Sequence, residues 1–134
     1  MISFLLLATG ITYANNILVT NATISRQNTT SHFVLVNFKV SWDNSWCTST
    51  NESNYDGAWI FVKFRKNGTT DWRHATINFT GNIAATWATI TSPTDGKGEF
   101  IYRSANGIGT VGDATNSLRW DYIADGYLII SVGF

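Results

Sequence analysis

A single cysteine, Cys47, leaves no partner for an internal disulfide, so the fold must rest on its core rather than on covalent staples. Proline is equally scarce, with one residue, while 14% of the chain is aromatic, a supply of large apolar side chains that argues against disorder. Charge is sparse and balanced: nine basic and nine acidic residues give a formal net charge of +0, and no run of either sign marks a surface for nucleic acid or for an anionic membrane. No apolar stretch approaches the roughly 20 residues that a membrane-spanning helix needs.

The motifs of common chemistry are absent as well. There is no H-E-x-x-H, no G-x-S-x-G nucleophile elbow and no G-x-x-x-x-G-K-[ST] phosphate loop. The Asp-Gly pairs stand alone, without the D-x-[DN]-x-[DN]-G spacing of a calcium loop, and read as turns. His32 and His74 are the only histidines, each in a strand-like segment, and are assigned structural or surface roles. Cys47 has no basic neighbour in sequence to lower its pKa, so it reads as an inert, partly buried thiol. No catalytic residue, metal ligand or cofactor is expected, and the five Asn-x-Ser/Thr sequons at Asn21, Asn28, Asn51, Asn67 and Asn78 carry no functional information in so Thr- and Asn-rich a chain.

What is present is a short apolar run from Phe4 to Ile11, followed by small residues at Thr12 and Ala14 and by polar Asn15 and Asn16. This predicts a signal peptide cut after Ala14, hence a periplasmic or extracellular protein whose residues 15–134 form one domain. A domain of that size buries about two-thirds of its unfolded surface.

From there the dominant period is two. In HFVLVNFKVSW the apolar positions Val34, Val36, Phe38, Val40 and Trp42 alternate with Asn37, Lys39 and Ser41. In AWIFVKFRK, Ala58, Ile60, Val62 and Phe64 alternate with Lys63 and Arg65, although Trp59 and Phe61 make the first half apolar on both faces. Further strands are expected from Ile17, Asp71, Thr86, Gly98, Ser117 and Tyr127, separated by turns at Lys66-Asn67-Gly68, Asp95-Gly96-Lys97-Gly98, Asn106-Gly107 and Asp125-Gly126. With roughly eight strands and no useful helical period, the prediction is all-β: an antiparallel, jelly-roll-like sandwich.

The segment SWDNSWCTSTNESNYDGAWIFVKF, residues 41–64, joins two of these strands through a connection longer than a hairpin needs, which implies a function or a crossing between sheets. A sugar site here would use Trp46 or Tyr55 as a flat platform, with Asp43, Glu52 or Asp56 accepting hydroxyl protons. The competing assignment is architectural and is preferred: the aromatics close one end of the sandwich, Trp46 is partly buried, and the Asp and Asn side chains satisfy loop backbone.

The ordered segments SWDNSW, NYDGAWIFVKFR, DWRHATI, DGKGEFIYRSANGIGT and LRWDYIADG resemble the N-terminal accessory region of secreted bacterial proteins of the formylglycine-generating-enzyme, or sulfatase-modifying-factor, type, especially those of Bacteroidetes. The resemblance runs from about Asn15 to the C-terminus. It implies export and a non-catalytic accessory or interaction module whose partner is a downstream enzyme-like domain in a longer parent chain. The family's active-site cysteines belong to that downstream domain, and Cys47 stands where the pattern has Arg, so it inherits no catalytic role. Gly57 in place of Ala and the ending YLIISVGF are further departures; the ending suggests a truncated product. A carbohydrate-binding or adhesive module acting through Trp46, Tyr55, Asp43 and Asp56 is the alternative, with a glycan as its partner and neither nucleic acid nor a membrane span expected.

Overall fold

A computed structural model describes residues 15–51 and 53–127; residues 1–14, read from the sequence as a signal peptide, Glu52 and the expected last strand beyond Tyr127 lie outside the described residues. The described chain is an all-β antiparallel sandwich. Its strands are β1 (Leu18–Asn28), β2 (Phe33–Cys47), β3 (Gly57–Ile60), β4 (Lys63–Phe64), β5 (Arg73–His74), β6 (Ala88–Thr91), β7 (Glu99–Arg103), β8 (Gly107–Val111) and β9 (Thr115–Trp120), followed by a 3-10 turn at Tyr122–Asp125.

Strand β2 organises the larger sheet. It pairs with β1 from Phe33 to Ser41, with β9 from Val34 to Lys39, and with β8 from Trp42 to Cys47. Strands β8 and β9 therefore run as one interrupted strand along β2. The interruption includes Gly112, at φ +140°, where an added Cβ would lie 2.4 Å from the Ser41 Cβ; only glycine lets the chain turn so close to β2. The smaller sheet has the order β3-β7-β6, and β4 and β5 form a separate two-stranded hairpin.

The two sheets meet through the alternation expected of them. Val34, Phe38, Val40 and Trp42 from β2 and Leu118 and Trp120 from β9 are buried against Ala58, Ile101 and Ala88 of the smaller sheet, with Ile60, Val62 and Phe64 packed beside them. A buried apolar side chain of this size stabilises by about 1.5–3 kcal/mol, so this continuous cluster is the main source of cohesion.

Four features depart from the sequence-based expectation. The segment AWIFVKFRK, read as one strand, forms two, β3 in the smaller sheet and β4 in the separate hairpin, with Phe61 and Val62 between them. Strand β8 forms where Asn106-Gly107 suggested only a turn, because pairing with β2 compensates for the poor strand propensity of Gly-Ile-Gly. The segment from Asp71 contributes only the two residues of β5. Strand β2 continues past Trp42 to Cys47, so the connection to β3 is shorter than the sequence suggests, and it does cross from the larger sheet to the smaller one.

Candidate functional site

The candidate region begins at a bulge in β2. Between Trp42 and Ser45 the pairing with β8 slips, and Asn44 takes φ +56°, a left-handed conformation that Asn tolerates. The slip inverts the facing of the strand: Ser45 becomes fully buried, and Trp46 is turned outward with 38% of its surface exposed. The expectation of a partly buried, end-closing Trp46 is thereby corrected, since simple alternation from Trp42 does not survive an extra residue.

Asp56 faces inward. Its carboxylate accepts hydrogen bonds from the Trp42 indole Nε1 (2.9 Å), the Ser45 hydroxyl (3.0 Å) and the Trp46 backbone N–H (2.9 Å). Arg103 extends the network, donating through Nε to Ser45 Oγ (3.2 Å) and through Nη2 to the Gly109 carbonyl (3.0 Å). This cluster ties β2, β7, β8 and the β2–β3 connection together. The same device recurs at Asp125, whose carboxylate holds the Trp120 indole (2.6 Å) and both the N–H and hydroxyl of Thr76 (2.8 and 2.7 Å). Both acids precede a glycine in the sequence, and both fix a core tryptophan whose N–H would otherwise be buried without an acceptor.

Asp43 is also engaged, accepting from Thr110 Oγ1 (2.9 Å) and Asn16 Nδ2 (3.0 Å). Tyr55 forms a bridge with Cys47 rather than with Trp46, and successive strand residues point to opposite faces, so Trp46 and Tyr55 do not make one platform. Trp46 lies opposite Ile108 of β8. The Cys47 thiol is half-buried, 4.0 Å from Asn106 Oδ1. Of the four proposed ligand residues, only Tyr55 sits on an open aromatic surface.

That surface is the outer face of the smaller sheet. Tyr55 stacks on Tyr102 with ring centroids 4.2 Å apart and planes 20° from parallel. Gly57, which faces Tyr102 in the β3–β7 register, carries no side chain of its own to cover that ring. Two residues along, Trp59 pairs with Phe100, and their rings meet edge-on at 5.0 Å. The Trp59 indole rests on Gly98, where an added Cβ would approach it to 2.7 Å. Trp59 and Phe100 remain 40% and 46% exposed, and Tyr55 47%. Polar groups accompany the rings: Thr91 Oγ1 and the Tyr102 hydroxyl are 3.0 Å apart. The outward parity of Trp59 was legible in AWIFVKF; the contribution of Phe100 and Tyr102 was not, because it depends on which strand lies beside β3.

A second concavity, about 270 Å³, opens between β1 and the β3–β4 segment and is lined by Val19, Ile24, Val36, Phe38, Val62 and Phe64 among others. Its walls are mostly hydrocarbon and supply little to orient a polar ligand. Among the described residues, no group of three His, Cys, Asp or Glu side chains is placed to hold a metal ion, and no helix is long and apolar enough to cross a membrane. No family model matches the chain, and no significant match was found among curated proteins or solved structures.

Proposed function

We propose that this chain is a non-catalytic accessory module of an exported protein and that it binds carbohydrate on the outer face of the smaller sheet. The observation that carries the reading is the pair of ring contacts, Tyr55 with Tyr102 and Trp59 with Phe100, on one face of β7, where Phe100 and Tyr102 lie two residues apart. Exposed rings at this spacing offer flat apolar ground to the C–H faces of sugars, while hydroxyls such as those of Thr91 and Tyr102 meet their polar edges. The carboxylates near this face serve the fold instead: Asp56 is committed to Trp42, Ser45 and Trp46. The resemblance to the region that precedes the enzyme-like domain of formylglycine-generating-enzyme-type proteins suggests the setting, a module that tethers a larger secreted protein to its glycan.

A glycan array probed with the purified chain tests this directly. Retention is expected, and it should be lost in Trp59→Ala and Phe100→Ala while both variants keep the wild-type circular dichroism spectrum. If no glycan is retained, and if the same two variants instead lose binding to the downstream enzyme-like domain, the face is a protein-docking surface and the carbohydrate reading fails.

A further inference from the structure

The aromatic face does not stop at β3. Residues 57–65 expose every second side chain, so that Trp59, Phe61, Lys63 and Arg65 face solvent while Ala58, Ile60, Val62 and Phe64 are buried or half-buried. The segment is not one continuous strand, since β3 ends at Ile60 and β4 begins at Lys63, but its alternation of exposed and covered side chains persists across the break. Along the exposed row, rings give way to cations. Phe61 packs against His74 at 5.2 Å, with Lys63 Nζ 5.7 Å from its centroid, and Arg65 lies 5.2 Å over the ring of Trp72, which is 59% exposed.

The charge on this hairpin is out of proportion to the rest of the molecule. Lys63, Arg65, Lys66 and Arg73 are four of the nine basic residues, and Asp71 is the only acid between positions 61 and 74. Among the described residues, ion pairs join Lys39 to Asp113 and Arg119 to Asp121, whereas none of the four hairpin cations has a carboxylate within 4.0 Å. Arg73 pairs with Phe64 and lies 5.9 Å over its ring, on the other face, so a chain of zero net charge presents Lys63 and Arg65, without a carboxylate partner among the described residues, at the end of its aromatic strip, and the local potential there favours an anionic group.

We infer that the ligand of this face is an acidic polysaccharide, with sugar rings lying on Trp59 and Phe61 and carboxylate or sulfate groups meeting Lys63 and Arg65. The inference rests on the carbohydrate reading above and names its substrate class. Arg65 presents a planar fork that suits either oxyanion, and Lys63 adds a mobile point charge. An anionic lipid surface fits less well, because the tip of the hairpin, Asn67-Gly68-Thr69-Thr70, offers no apolar side chain to insert. Nucleic acid fits less well too, since the sequence pI of about 6.7 is far from the strongly basic balance of such domains.

Affinity electrophoresis of the purified chain through gels containing polygalacturonate, dextran sulfate, neutral glycans or single-stranded DNA provides the test. Retardation by at least one of the two acidic polymers is expected, about tenfold or more stronger than by any neutral glycan, and weakening steeply as salt rises from about 0.05 to 0.5 M. Which acidic polymer retards more distinguishes carboxylate from sulfate recognition. The double variant Lys63→Gln, Arg65→Gln should lose this retardation with an unchanged melting curve. Neutral glycans bound as tightly as acidic ones would overturn the inference while leaving the carbohydrate reading standing. No retardation by any glycan would remove that reading itself, and stronger retardation by DNA than by either polysaccharide would reassign the cationic row to nucleic acid.

Discussion

The Asp56 carboxylate lies 2.9 Å from the indole nitrogen of Trp42, joining the connection that leaves β2 to the most buried tryptophan of that strand. Fourteen positions separate the two in sequence. The bond anchors the end of a polar, Asn- and Ser-rich connection, whose last acid is an interior acceptor shared with Ser45 and the Trp46 backbone.

Replacing Asp56 by Ala should therefore cost about 2–4 kcal/mol, because it strands donors that the fold keeps away from water. Asp56→Asn should recover only part of this, since one of its two terminal atoms becomes a donor facing other donors. Urea titration of the three proteins decides the matter. Equal midpoints for wild type and Asp56→Ala would show the carboxylate to be dispensable.

The bulge at Asn44 separates two tryptophans that look alike in SWDNSW. Trp42→Ala removes a core ring that also packs edge-on against Trp87 at 5.4 Å, and should cost about 3–5 kcal/mol. Trp46→Ala removes an exposed ring and should cost about 1 kcal/mol or less. Thermal melts of both variants check this contrast; comparable losses would mean that Trp46 carries core packing after all.

Glu99 is buried on β7 with no exposed surface. Asn82 donates to its Oε1 at 3.3 Å, while Oε2 has no partner among the described residues. Burial raises its pKa above the ordinary value of 4.5, the nearby charge of Asp95 adds to the effect, and hydrogen bonds from Ser92 and Asn82 oppose it. With the folded-state pKa raised, the contribution of Glu99 is fully present below the unfolded value and is lost as pH climbs through the folded one. Wild-type stability should fall in that window relative to Glu99→Gln, which has no proton to lose. Urea midpoints for both proteins between about pH 4 and pH 8 measure the difference. Parallel curves would show that Glu99 does not titrate in the folded state.

Much of this architecture follows from alternation alone. The inward sets Val34, Phe38, Val40, Trp42 and Ala58, Ile60, Val62, Phe64 could be read directly, and so could the outward Lys63 and Arg65, because a strand's covalent geometry sends successive side chains to opposite faces whatever surrounds it. Tertiary structure decided the rest. Gly107-Ile108-Gly109 is a strand only because β2 offers it a partner, and Asn44 bulges only within that pairing, exposing Trp46 where parity from Trp42 would have buried it. Asp43 and Asp56 look like sugar-binding carboxylates in a linear sequence; the neighbours that occupy them, Thr110 in one case and Trp42 and Ser45 in the other, are brought up by folding. The aromatic face likewise needed the β3–β7 register to place Phe100 beside Trp59 and Tyr102 over Gly57. Periodicity is a local property of the chain, whereas strand neighbours and hydrogen-bond partners are long-range choices settled by burying apolar surface while giving interior donors such as the Trp42 and Trp120 indoles an acceptor.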